Sequence, residues 1–303
     1  MTFRSWLAFV SLGIIWGFPY FFIKIAIAEL SPFVVVWARL AMAALILLPI
    51  AWYRGALSGV GKYIRPIGAF TLAEFLIPFT AIAIGEQWVS SSVTGILMAM
   101  VPLSIALISR FFGLHEPLTA SRLSGLILGF VGVASLLGFG TISGPLGWTG
   151  AGCMLLATVG YAIGPLIVQR HLKHLDSIGP IAISVTMASL ALTAPALLTW
   201  PPAWPGAITV VSVAVLGVVC TAIAMLLMFY LISHAGAARA TVITYINPMV
   251  AALLGVAVLG EHLGVGGGLA FVLILLGSWL STRAAPRTKD PRNLGAKVQE
   301  RAA

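Results

Sequence analysis

The chain reads as an all-α integral membrane protein of ten transmembrane helices, and three observations predict it: composition, the spacing of the apolar runs, and the placement of charge. Of 303 residues, 60% are hydrophobic and 8% are charged, too little polar surface to coat a soluble domain of this length. A hydrocarbon core of about 30 Å is crossed by about 20 apolar residues, and a helix satisfies every backbone polar group within the crossing segment. Ten such runs are predicted at 5–27, 32–53, 64–84, 88–111, 119–138, 148–169, 178–200, 207–233, 237–259 and 264–282.

Charge orients these spans. With the N-terminus inside, the inner segments collect Arg4, then Arg54, Lys62 and Arg65, then Arg110 and Arg122, then Arg170 and Lys173, then Arg239, and finally the basic tail. The outer loops hold no Lys or Arg, while Glu29, Glu86 and Glu261 fall outside, so both termini are expected in the cytoplasm. The formal charge of +9 is therefore spread along one membrane face and does not point to nucleic acid.

Taken in order, span 1 holds Trp16-Gly17-Phe18-Pro19 in its middle. Ala26-Ile27-Ala28 mimics a signal-peptidase site, but the preceding run is longer than a signal core, and an uncleaved span is expected. Spans 2, 3 and 4 carry Arg39 and Pro49, Glu74 and Pro78, and Pro102; span 5 carries Gly125-x-x-x-Gly129. Spans 6 to 10 carry Tyr161 and Pro165, Pro195, Cys220 and Tyr230, Tyr245 and Pro248, and Gly264-x-x-x-Gly268. Cys153 and Cys220 lie in apolar spans and read as small packing residues, with neither disulfide nor metal expected.

Prolines reveal a repeat. Pro19, Pro49 and Pro102 recur at an offset of 146 as Pro165, Pro195 and Pro248. "LHEPLTASRLSGLILGFVGVASLLG" from Leu114 and "LGEHLGVGGGLAFVLILLGSWLS" from Leu259 each give a turn holding a Glu and then a Gly-rich span. Residues 1–140 and 141–283 are thus two five-helix repeats, with 284–303 a basic cytoplasmic tail. Five spans per half make the repeats inverted. Inverted halves can exchange conformations to face either side of a membrane around a central cavity, which is transporter architecture.

"WGFPYFFIK", "WARLAMAALIL" and the "HEPLT" and "GEHLG" turns resemble the EamA branch of the drug/metabolite transporter superfamily, over nearly the whole chain to residue 283. The resemblance implies a ten-helix transporter whose cavity is lined mainly by spans 1, 3, 4, 6, 8 and 9. It also implies small metabolites as cargo, many of them amino acids, usually moved outward; one bacterial branch exports aromatic amino acids. The second half departs from the first in having Tyr161-Ala162 where the first has Trp16-Gly17, and no Arg matching Arg39.

Buried charge marks the first candidates, because an ionised side chain deep in a membrane is costly. Lys24 lies near the outer end of span 1, where its stem can reach the interface or a substrate carboxylate. Arg39 lies roughly 10 Å deep and Glu74 roughly 15 Å deep at 1.5 Å per residue. The two are expected to form a structural charge pair, or else a substrate or proton site. Helical spacing aligns Thr71, Glu74 and Pro78; Thr158, Tyr161 and Pro165; and Thr241, Tyr245 and Pro248, so polar groups share a face with each proline.

Aromatics near the kinks are Trp16, Phe18, Tyr20, Tyr161, Tyr230 and Tyr245. The expected substrate-binding set is Trp16, Pro19, Tyr20, Glu74, Pro78, Tyr161, Pro165, Tyr245 and Pro248, with Trp16, Tyr161 and Tyr245 around an aromatic side chain. The glycine pairs of spans 5 and 10 are expected to pack the halves or a second copy, and Glu116 and Glu261 to cap the helices they precede. His171-x-x-His174 has no further ligands nearby and reads as a loop.

The function expected is secondary transport by alternating access in a bacterial-type inner membrane, exporting aromatic or hydrophobic amino acids; the alternative is efflux of lipophilic cations. A channel and a membrane-embedded enzyme are lesser readings, the latter because a single deep carboxylate stands where clustered acid and base groups would be needed. Phosphate loops and ATPase segments are absent, so no cofactor, nucleic acid or ATPase subunit is expected; the partners are a small-molecule substrate, membrane lipid and, as a candidate, a second copy.

Overall fold

In the computed structural model, residues 3–109, 111, 120–138, 144–235, 243 and 245–282 are described. Among them every regular element is helical. Nine stretches are long and apolar enough to cross a membrane: Phe3–Ala26, Pro32–Tyr53, Val60–Gly85, Ser91–Ile108, Ala120–Leu137, Gly144–Leu172, Ile178–Leu198, Ala207–Leu231 and Gly264–Ser281. They match predicted spans 1 to 8 and 10, and the shorter apolar helix Ile246–Ala257 occupies the place of span 9. Arg110, Glu116, Arg239, Thr241 and the tail 284–303 lie outside the described residues.

Local chemistry sets the helix starts. The Ser31 hydroxyl accepts the Val34 N–H at 3.3 Å ahead of Pro32, and Ser90 does the same for Val93 at 3.3 Å, each filling one of the donors a helix start leaves open. Large apolar side chains such as Leu45, Leu190 and Leu253 stay exposed because hydrocarbon, not water, surrounds them.

Spans 3, 4 and 8 depart from regular helix, 3 and 8 as a matched pair. Span 4 divides into Ser91–Met98 and Val101–Ile108, with Ala99 and Met100 turning back to Ile96 and Leu97; the described helix of span 9 begins at Ile246 directly after Tyr245, which is Ala99 displaced by 146. Span 3 widens into a π-helical turn at Thr71–Leu76, and span 8 does so at Val215–Ile223. The same displacement carries 71–76 onto 217–222, inside the second π-helical segment. A π-turn inserts one residue and frees backbone groups locally, so both halves loosen the same span at the same place.

Spans 1 and 6 do not match in this way. Span 1 stops at Ile15, Gly17 and Phe18 donate to Ile14 and Ile15, and the helix restarts as Pro19–Ala26. Span 6 runs as one helix, Gly144–Ile167, straight through Pro165, and its irregularity is a π-turn one step later at Val168–Leu172. The break expected at Pro165 is absent.

Spans 5 and 10 pack closely through Gly125 and Gly277, where a Cβ on either would come within 2.7 or 2.6 Å of the other's carbonyl oxygen. Among the described residues a Cβ on Gly264 or Gly268 would meet nothing within 4 Å, so within this chain it is Gly277 that packs against span 5.

Candidate functional site

Arg39 is the deepest cation, 6% exposed on span 2. Its Nε donates to Thr221 Oγ1 at 2.8 Å, and its guanidinium carbon lies 3.9 Å from the centre of the Phe79 ring. Thr221 sits in the π-helical segment of span 8 and donates its own proton to Leu216 O at 2.8 Å, which leaves its lone pairs for Arg39.

The expected pair between Arg39 and Glu74 does not form. Among the described residues the ion pair present is Arg54 with Asp176, at 3.7 Å between two loops on the side expected to be cytoplasmic. Arg39 turns toward span 8, whereas Glu74 turns toward span 6, where Gly164 leaves the room its carboxylate fills. Four residues away on each helix, Gly160 receives Pro78. Glu74 Oε2 is buried there without a hydrogen-bond partner.

Tyr20 and Tyr161 each interact electrostatically with Arg39, and Tyr161 also with Glu74. Pro19 starts the helix that carries Tyr20, and Pro165 stands one turn beyond Tyr161. Spans 2, 3 and 8 thus meet at Arg39, Phe79 and Thr221, and spans 3 and 6 at Glu74, Pro78, Gly160 and Gly164, with Thr221 and Phe79 as members that sequence spacing did not mark; Pro19 is buried at the restart of span 1, and Pro165 is exposed.

Trp16 belongs to a different cluster, while Tyr245 and Pro248 stand at the start of the span 9 helix, with Pro248 buried. Trp16 packs with Leu227, Met228, Tyr230 and Ile246 against a separate small core of Phe9, Leu12, Ala224, Leu231 and Ile243. Tyr161 packs against the main core, apart from the small core that holds Trp16. At this second place Gly13 and Gly17 lie against Ile246 and Val250 of span 9. With its amide nitrogen turned toward the carbonyls, Asn247 donates to Gly13 O at 2.9 Å and Ile243 O at 3.0 Å. Gly13 O is the acceptor a regular helix would offer to the Gly17 N–H, which here goes to Ile14 O. Asn247 thus closes the hydrogen-bonding gap at the break. Ser278 does similar work at the span 4 break, donating to Ala99 O at 2.5 Å. A lone amide beside Pro248 in an apolar run was the sequence signal for Asn247.

Charged groups toward the ends expected to face outward are tied across the fold. Lys24 Nζ donates to Glu86 O at 2.5 Å and Val89 O at 3.0 Å, where a cation favours a helix C-terminus, instead of extending to the interface. Glu261 caps span 4 and not the helix it precedes: it accepts the Ser91 and Ser92 N–H groups, each at 2.8 Å, and both hydroxyls, at 3.0 and 2.5 Å. Burial pushes the Glu261 carboxyl up, but these four hydrogen bonds outweigh it and hold the group below the usual carboxylate range. Glu29 likewise accepts the Gly206 N–H at the start of span 8, at 2.6 Å. Burial pushes the fully enclosed Glu86 well above that range, with Lys24 partly opposing.

A membrane protein whose described elements are all helical, with matched π-helical segments in two halves and buried polar groups beside them, has the make-up of a transporter. The model of the EamA-like transporter family matches residues 4–138 and again 148–283. The chain belongs to that family and carries two copies of its domain. It is 30% identical to the uncharacterized inner membrane transporter YedA of Escherichia coli (strain K12), over 92% of this chain and 94% of that protein. It is 24% identical to the uncharacterized transporter YoaV of Bacillus subtilis (strain 168), over 93% and 98%. A solved crystal structure at 19% identity shares the fold, with a TM-score of 0.64 across 93% of this chain and 97% of that one.

Proposed function

We propose that this membrane transporter is a secondary carrier of the inner membrane, with both termini in the cytoplasm, that exports aromatic or other hydrophobic amino acids by alternating access. The observation that carries the reading is Glu74: a buried carboxylate oxygen without a donor, at the meeting of spans 3 and 6 and in electrostatic contact with Tyr161. Such a group needs a cation or a proton, and a substrate ammonium supplies one. Tyr161 provides aromatic surface beside it, and the interrupted spans provide backbone groups for the rest of a zwitterion. The substrate meets the protein where spans 3 and 8 are both loosened.

Efflux of lipophilic cations is the second reading, favoured by the same lone carboxylate next to an aromatic ring. Counterflow in proteoliposomes with a panel of labelled amino acids and organic cations separates the two. Exchange of phenylalanine or tryptophan that saturates supports the amino-acid reading; if no amino acid exchanges, it is wrong. In Glu74→Gln, cation transport should vanish, whereas zwitterion exchange should survive with weakened affinity.

A further inference from the structure

Arg39 offers more than the fold uses. A guanidinium has five N–H donors in a planar fork. One, at Nε, is taken by Thr221, and Phe79 covers one face. Among the described residues the four N–H donors of the two Nη groups make no hydrogen bond, and no carboxylate lies in ion-pair contact with them. The phenol oxygens of Tyr20 and Tyr161 make no hydrogen bond among the described residues either; Tyr161, Cys220, Tyr20 and, without ion-pair contact, Glu86 act electrostatically on Arg39.

We propose that Arg39 is the receptor for a carboxylate of the transported solute, with the Tyr20 and Tyr161 hydroxyls as flanking donors. The proposal rests on the transporter reading and names the chemistry of one end of the solute. With Nε anchored, the edge formed by the two Nη groups is free to present two parallel N–H bonds, the geometry a carboxylate accepts side by side. Thr221 and Phe79 hold the plane of the fork, so little order has to be created on binding. The second half has Val185 at the equivalent position, so there is one such fork in the molecule. A single guanidinium suits a monoanionic carboxylate better than a phosphate dianion, which calls for several cations. Glu74 then receives the ammonium, and the two ends of an amino acid are read from different spans.

Three probes test this in proteoliposomes: phenylalanine, phenethylamine, which lacks the carboxyl, and 3-phenylpropionate, which lacks the amine. In Arg39→Gln the half-saturation concentrations of phenylalanine and 3-phenylpropionate should rise at least about tenfold, as expected for a lost charge-assisted hydrogen bond, while phenethylamine is unchanged. Arg39→Lys should fall between, since it keeps the charge but loses the fork. Tyr161→Phe, which does not disturb the Thr221 anchor, should weaken only the two carboxylate probes, and it decides the matter if Arg39→Gln fails to fold. The proposal is overturned if all three probes weaken together, if the carboxylate probes are unaffected, or if the wild type binds neither of them. Should the wild type exchange no amino acid yet bind 3-phenylpropionate in an Arg39-dependent way, the amino-acid reading fails and this one stands. Exchange of phenylalanine that is indifferent to Arg39 and Tyr161 overturns the carboxylate receptor and leaves the amino-acid reading in place.

Discussion

Spans 1 and 6 carry proline at equivalent positions, Pro19 and Pro165, yet span 1 breaks there and span 6 continues. Each proline removes one N–H and so frees one carbonyl. The neighbours differ. Span 1 faces Asn247, which hydrogen-bonds Gly13 O and makes three residues of irregular backbone tolerable inside a membrane. Span 6 faces span 3 through Gly160 and Gly164, which admit Pro78 and Glu74 at close range, and among the described residues no side chain hydrogen-bonds its backbone from 160 to 165. A proline marks where a helix can open; a partner for the freed backbone decides whether it does.

The most damaging test of that contrast is Asn247→Leu. It leaves Gly13 O buried and unpaired, which should cost about 1–3 kcal/mol, and it should abolish counterflow if the break is part of the transport cycle. Thermal denaturation in detergent together with counterflow measures both, and an unchanged midpoint would show that the break holds without Asn247. Gly17→Ala comes next. The added methyl would lie within 2.6 Å of Val250 Cγ1 and 3.0 Å of Asn247 O, an overpacking expected to cost roughly 1–3 kcal/mol.

Pro165→Ala should do far less than Pro19→Ala. Span 6 is already helical through this position, so a change of under about 1 kcal/mol with transport retained is expected, against a measurable loss for Pro19→Ala. Equal effects in the two variants would erase the contrast.

The smallest effect concerns the joint between the halves. Glu261 is held below the usual carboxylate range, so its stabilisation is fully present above the unfolded value, near pH 4.3, and is lost as pH falls through the folded one. The wild type should therefore lose thermal stability on acidification below about pH 4.3 more steeply than Glu261→Gln. Parallel curves would mean that Glu261 does not tie span 4 to the turn before span 10.

Much of the fold was legible because hydropathy and proline act locally. The apolar runs located nine spans and the short tenth helix, and Pro102 located the break of span 4. The π-helical segments were not legible: Thr71–Leu76 and Val215–Ile223 share no residue signature, and only the first is followed closely by a proline. Depth along a helix is a sum of rises and follows from residue count; azimuth depends on which neighbour is met. For that reason Arg39 and Glu74, expected as a pair from their places in spans 2 and 3, turn to different neighbours. One faces Thr221, 182 residues away, and the other Gly164.

The sequence alone determined that the chain is a bundle of apolar helices in two similar halves, since burial of backbone polar groups in hydrocarbon leaves a run of 20 apolar residues little else to become. Tertiary structure alone decided where each polar side chain spends its hydrogen bonds. Glu261 capping Ser91 and Ser92, Asn247 answering Gly13, and Arg39 keeping its outer fork unused are contacts between residues far apart in the chain. In a medium with no water to accept or donate, each such group takes the partner that packing brings within about 3 Å, and no local pattern records which partner that is.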